Sequence, residues 1–309
     1  MFFREVLMSA EANSKIIFIA LAANLGIAAA KFAGAFISGS AALLAEAIHS
    51  VVDSSNQVLL LVGSKKSKHP PTERHPLGHG REAFFWSFIV AILLFSLGGL
   101  FAIYEGAHKL SGHAEFDSPW IALAILVVGL LLEGGSFFAC LREVKRQNKF
   151  ANLWRWFRNT SSSELLVIFT EDAAALLGLA LAFVSILLSW ITGNPVWDAV
   201  GSVAIGCLLV IVAILLAIEI KSLLIGEAPR TDFRSFIEER LKANIPGGKV
   251  FKLIALQTGS NEVLISCKIS AGSVQDVDTL ITGINRLEKE IKANFPEVRW
   301  LFVEPDVTD

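Results

Sequence analysis

The sequence predicts an α-helical membrane protein with six transmembrane helices, followed by a small α+β domain at the C-terminus. Three observations predict it. Of 309 residues, 53% are hydrophobic and 18% charged, and the mean hydropathy of +0.58 exceeds that of soluble domains. Six apolar runs approach the ~20 residues that a bilayer core demands. From Gly226 the long apolar runs give way to short amphipathic patterns over about 80 residues, the size of a small domain.

Residues 1–14 carry Arg4 and Glu5 with no small-residue cleavage site behind the first apolar run, so they read as a cytosolic lead-in and not as a cleaved signal peptide. The first span is expected from Lys15 to Ile37, ending at Ser38-Gly39-Ser40, and the second from Ala41 to Gly63. The polar loop 64–81 follows, its prolines and glycines stopping the helix. Spans are then expected at Glu82–His108, Trp120–Leu141, Glu164–Ile191 and Pro195–Leu224. Asn194-Pro195 reads as an N-cap and a first-turn proline for the last of them. Loops after spans two and four are rich in Lys and Arg; those after spans one, three and five are not. By the positive-inside rule both termini are therefore cytosolic. Beyond Gly226, a helix carrying Phe233, Phe236, Ile237 and Leu241 is expected behind a Thr231 or Asp232 cap. Strands follow at Lys249–Gln257 and Glu262–Ile269, joined by a turn at 258–261. A second helix presents Val277, Leu280, Ile281, Ile284, Leu287 and Ile291, and Val298–Val303 closes as a third strand. The order αββαβ predicts a sheet with both helices on one face.

The net charge of −2, without a long basic tract, gives no footing for nucleic acid. Cys140, Cys207 and Cys267 are scattered and imply neither a disulfide framework nor a CxxC site. The informative polar residues lie inside the spans. Glu46, His49, Asp53 and Gln57 share one face of span two, since residues three and four apart are neighbours on a helix. Ionisable groups at membrane depth cost about 2.5–3.5 kcal/mol each on insertion scales and mark functional sites. Imidazole nitrogen and carboxylate oxygen are ligands for a divalent transition metal, zinc above all. A bland alternative is a polar pair joining two helices. Glu171 and Asp172 in span five supply further ligands, although adjacent residues point about 100° apart, so one is expected to ligate and the other to orient a partner or carry protons. Glu133 in span four reads either as a proton relay or as a packing residue beside Gly134 and Gly135. Glu46 reads as a ligand or as a hydrogen-bond partner of His49. His75 and His79, with Glu73 nearby, form a candidate auxiliary loop site, while His108 and His113 are expected to be solvated at the outer mouth.

Span two's Leu43-Leu44-Ala45-Glu46-Ala47-Ile48-His49-Ser50-Val51-Val52-Asp53, followed by His75-Pro76-Leu77-Gly78-His79-Gly80-Arg81-Glu82, resembles the cation diffusion facilitators over essentially the whole chain. Ser54-Ser55-Asn56-Gln57, the run Glu171-Asp172-Ala173-Ala174-Ala175-Leu176-Leu177-Gly178 and the turn Ile191-Thr192-Gly193-Asn194-Pro195 look like the zinc transporter nine branch. The resemblance implies a homodimeric, proton-coupled zinc antiporter, no enzyme, with a transport domain at 15–224 and a ferredoxin-like, cytosolic dimerisation domain at 225–309. It implies a tetrahedral metal site from spans two and five. His49 and Asp53 match the span-two pair, and Asp172 matches the span-five aspartate by its distance from Gly178. The family's span-five histidine falls on Ile168, leaving Glu171 as the nearest replacement ligand. No histidine follows His113, so the C-terminal domain is expected to dimerise without binding zinc tightly. The family's His-rich loop between spans four and five is replaced by one carrying Trp154, Trp156, Phe157, Arg155 and Arg158. Arg81 stands where some members carry a lysine that locks the dimer interface, with Glu227 as candidate partner.

Ligand chemistry then implies a cycle. Zinc needs deprotonated ligands, so metal binding expels protons and protonation expels metal. Histidine titrates nearest neutral pH, and protonating His49 removes a lone pair and repels the ion. The expected partners are thus Zn2+ as cargo, protons, membrane lipid and a second copy of the chain, in an inner or plasma membrane, with no resident cofactor. Manganese, iron or cobalt are alternative cargoes, and a transport-inactive scaffold is an alternative role raised by Ile168. An intramembrane metallohydrolase is the rival from another class. Glu46-x-x-His49 is half of an H-E-x-x-H signature, but Ala45 stands where its first histidine belongs.

Overall fold

The computed structural model describes residues 24–111, 118–147, 152–158, 160, 163–229, 231–260 and 262–307. The N-terminal lead-in, the start of span one and His113 lie outside the described residues. The chain forms two compact units: one drawn from the described residues within Met1–Val62, Trp86–Ala151 and Leu165–Ile218, the other from Gly63–Phe85, Asn152–Glu164 and Glu219–Asp309.

The first unit is helical. Its helices are α1 (Asn24–Ser38), α2 (Ala41–Ser67), α3 (Glu82–Ser111), α4 (Pro119–Gln147), α6 (Ser163–Thr192) and α7 (Val196–Ile225), the ends of several continuing into the second unit. Among the described residues four helices are long and apolar enough to cross a membrane: α3, α7, and the Pro119–Arg142 and Leu165–Thr192 parts of α4 and α6. Helix α2 has the length, at 27 residues, but its polar face lowers its hydropathy. The outward faces carry Phe36, Leu131, Trp190 and Ile211, whereas Lys31, Glu46, His49, Asn56, Glu171 and Asp198 are buried. Apolar outside and polar inside is the arrangement lipid enforces.

Small residues bring α3 and α7 together. A Cβ on Gly106 would sit 2.7 Å from the Ala199 carbonyl, and one on Gly206 2.7 Å from the Gly99 carbonyl, so only glycine admits this approach. Ser202 Oγ donates to the Ala102 carbonyl at 2.9 Å across the same seam. Leu94–Leu100 of α3 is a π-helical turn containing Gly98 and Gly99, a local widening of the kind found at functional or closely packed positions. The α1–α2 hairpin turns at Gly39, whose φ of 67° is the left-handed region glycine adopts without penalty. Asn194 caps α7 through its side chain, accepting from Val196 N at 3.0 Å as the sequence predicts.

The second unit contains the short helix α5 (Leu153–Phe157), then α8 (Phe233–Asn244), β1 (Val250–Gly259), β2 (Glu262–Ile269), α9 (Val277–Asn294) and β3 (Val298–Pro305). Its αββαβ order is the predicted one. Strand β2 is central, antiparallel to β1 and parallel to β3, with Cys267 opposite Leu253 on one side and Val303 on the other. Val263, Ile265, Cys267 and Ile269 point to one core with Phe233, Ile237 and Leu241 of α8 and Leu287 and Ile291 of α9, so both helices cover one face. Asp232, not Thr231, caps α8 by accepting from Ser235 N at 3.2 Å. One prediction is corrected: Val277 and Ile281 do not belong to the buried face of α9, being 66% and 49% exposed. Leu280, Ile284, Leu287 and Ile291 form the stripe that meets the core, and Ile281 lies about 100° round the helix from Leu280.

Burial, aided by the charge of Glu288, pushes the Cys267 thiol up to about 11. A thiol so held is almost entirely protonated at neutral pH and nucleophilically inert. N-ethylmaleimide is expected to leave Cys267 unlabelled in the folded chain and to label it after denaturation, read by peptide mass spectrometry; labelling of the native protein would contradict the packing.

Candidate metal site in the helical unit

Helices α1, α2, α4 and α6 enclose a cleft of about 80 Å3 lined by Asn24, Ser50, Asp53, Gln57, Glu133, Ser136, Ile168, Glu171 and Asp172 among others. Three sequence-predicted ligands, Asp53, Glu171 and Asp172, therefore reach one space. The 100° between Glu171 and Asp172 does not divide them between cleft and exterior; it sets them toward different walls. Glu171 accepts from Asn56 Nδ2 of α2 at 2.5 Å, and Asp172 accepts from Ser136 Oγ of α4 at 3.3 Å. Ile168, one turn before Asp172, presents an apolar side chain to the same cleft.

His49 is 1% exposed and stands beside Asp53, with Nε2 3.4 Å from Asp53 Oδ2 but without hydrogen-bond alignment. Both ring nitrogens and Asp53 Oδ1 are buried and unpartnered. Unpaired buried groups of this kind cost roughly 1–3 kcal/mol each, and their clustering on one helical turn needs a reason. A cation taken up between imidazole and carboxylates supplies one. Among the described residues no three His, Cys, Asp or Glu side chains are gathered in metal-holding geometry. Coordination would thus require the carboxylates to turn away from Asn56 and Ser136.

Glu46 departs from both sequence-based readings. It does not hydrogen-bond His49 and does not line the cleft. Instead its Oε2 accepts from Lys31 Nζ of α1 at 3.3 Å, both side chains being fully buried. Lys31 also donates to Ser50 Oγ and Glu133 Oε1, each at 2.8 Å. Glu133 is thus half of an ion pair that joins α4 to α1, and the glycines beside it bring no helix into close approach: a Cβ on Gly135 would meet nothing within 4 Å, and one on Gly134 only Leu176 at 4.0 Å. Room for the Lys31–Glu46 pair comes from α6, where a Cβ on Gly178 would collide with Glu46 Oε1. Lys31 and Asn56 are the site residues that sequence reasoning missed. The one available signal for Lys31 was a lone cation within an apolar run, which demands a buried anion.

In the loop before α3, the rings of His75 and His79 lie 4.7 Å apart and those of His69 and His79 5.9 Å apart, so the two predicted residues do meet, with a third beside them. His108 is exposed and stacked on Tyr104. The Arg81 guanidinium lies near Gly226, where a Cβ would be 3.5 Å from it, one residue before Glu227.

A carboxylate-lined cleft beside a buried histidine, set among apolar helices of membrane length, points to a membrane protein that handles cations. Residues 17–225 match the cation efflux transmembrane domain, and the chain belongs to that family, the cation diffusion facilitators. Metal tolerance protein C4 of Arabidopsis thaliana is 35% identical over 224 residues, 70% of this chain and 48% of that protein. Proton-coupled zinc antiporter SLC30A9, mitochondrial, of Mus musculus is 27% identical over 340 residues, 97% of this chain and 60% of that protein. Magnetosome protein MamB of Magnetospira sp. (strain QH-2) is 28% identical over 212 residues, 67% of this chain and 66% of that protein. The chain spans 48% to 60% of the length of the first two. Ala45 stands where the first histidine of a metallohydrolase signature would, and the family matched is one of cation efflux proteins.

Proposed function

We propose that the chain is a proton-coupled divalent-metal antiporter, with zinc as first cargo, working as a homodimer of six-span protomers with both termini cytosolic. The supporting observation is the set of orphaned atoms, His49 Nδ1 and Nε2 and Asp53 Oδ1, beside the cleft that Glu171 and Asp172 wall. Imidazole with carboxylates suits zinc over harder ions. Relatives named as a proton-coupled zinc antiporter and as a metal tolerance protein favour the same cargo class. Since metal and protons compete for the same lone pairs, filling the site releases protons to one side and protonation releases metal to the other. Arg81 with Glu227 is the proposed interlock of the dimer, and the His75/His79 loop a proposed auxiliary metal site.

The deciding experiment reconstitutes the chain in vesicles with an imposed pH gradient and follows zinc, manganese, iron and cobalt with a pH-sensitive dye. Zinc uptake matched by proton efflux is the expected result. Metal binding without flux of any ion would replace the antiporter with the scaffold reading that Ile168 in span five favours.

A further inference from the structure

We propose that Lys31 is a tethered occupant of a second cation position, formed by Glu46, Ser50 and Glu133, in the wall of the cleft; freed of that lysine, the position takes a hard divalent cation. The inference rests on the cleft being a metal path. Three oxygens from two helices converge on Lys31 Nζ, Ser50 Oγ and Glu133 Oε1 at 2.8 Å and Glu46 Oε2 at 3.3 Å. Two carboxyl groups share one ammonium, and Glu46 Oε1 and Glu133 Oε2 are buried with no hydrogen-bond partner. A lysine recruited only to neutralise Glu46 would not account for the second orphaned carboxylate oxygen.

The position also opens on the transport space, because Ser50 and Glu133 line the cleft. The lysine stem reaches it from α1 past Gly129, where a Cβ would stand 3.6 Å from Lys31 Cε. Its donors are oxygens alone. Oxygen-only sites suit manganese or magnesium, whereas the histidine-bearing position beside it suits zinc. Lys31 thereby keeps a hard cation out of this wall position while leaving the softer site accessible, making it a selectivity determinant supplied by the chain itself.

The test counts Mn2+ bound to the purified, detergent-solubilised full chain, by equilibrium dialysis and electron paramagnetic resonance. Lys31→Ala is expected to bind one more Mn2+ per chain than the parent, and Lys31→Arg no more than the parent. The additional ion should vanish in Lys31→Ala/Glu133→Gln. A folded Lys31→Ala with the parent's stoichiometry overturns the proposal. If Lys31→Ala is recovered only when Mn2+ is present during purification, the ion has replaced the ammonium and the proposal stands. If no added cation recovers it while the charge-neutral Lys31→Met/Glu46→Gln/Glu133→Gln folds, the position admits no free ion and the proposal fails. A parent chain that binds and moves no metal defeats the transport reading instead, because the added ion is read as a difference between variant and parent.

Discussion

Asp53→Ala is expected to lower the proposed metal-coupled proton flux about 100-fold or more while leaving the helical unit folded. Among the described residues, Asp53 is the one carboxylate that both lines the cleft and stands a turn from His49, with Oδ1 lacking a hydrogen-bond partner. Its neighbours are otherwise engaged: Glu171 by Asn56, Asp172 by Ser136, Glu133 by Lys31. Removing a residue that merely orients a metal ligand typically costs 10–100-fold in affinity or activity, so losing a ligand itself is expected to lower flux by about 100-fold or more. Asp53→Asn preserves the volume but not the charge and should fall nearly as far. Ser55→Ala is the control, since its hydroxyl only donates to the Val51 carbonyl on an exposed face. Flux from vesicles of Asp53→Ala equal to the parent's would remove Asp53 from the transport path.

Asp198→Ala produces the largest loss of stability. Asp198 is 2% exposed at the start of α7 and accepts from Ser40 Oγ at 2.5 Å, Ala41 N at 2.6 Å and Ala42 N at 3.3 Å. With Ser40, whose Oγ accepts from Leu43 N at 3.0 Å, it caps the N-terminus of α2 from another helix, and its charge also meets the positive end of α2. Lys109 binds the adjoining Gly39 carbonyl. Ser40, Ala41 and Ala42 are as buried as Asp198, so water does not readily take its place. At roughly 1–3 kcal/mol for each orphaned buried donor, the variant should lose about 3 kcal/mol or more, measured as denaturant-induced unfolding in detergent. Asp198→Asn keeps one acceptor oxygen and should lie between the two. Because α2 carries His49 and Asp53, lowered flux should accompany the lowered stability. A midpoint equal to the parent's would show that α2 is capped by other groups.

Local features were legible in the chain and pairings across it were not. The alternation of Val263, Ile265, Cys267 and Ile269 is written in five-residue windows, so β2 appears in place and with the predicted face inward. The same reasoning grouped Val277 and Ile281 with Leu280 and Ile284, but only the latter two pack on the core. His49 and Asp53 were recognisable because helical spacing alone makes them neighbours. Nothing in that spacing announces that Glu46, on the same face, turns to a lysine 15 positions earlier, or that this lysine also holds a glutamate 102 positions later.

The sequence by itself determined the apolar segments, the basic loops between them, the αββαβ order and the polar face of α2, because each depends on periodicity and composition over one or two turns of chain. Tertiary structure decided which carboxylates face the cleft, that His49 stands beside it unpaired, and that Glu46 serves Lys31. Those outcomes follow from how α1, α2, α4 and α6 are packed. In an apolar interior each charge takes whichever partner that packing brings within about 3 Å, as the ionic hydrogen bond requires.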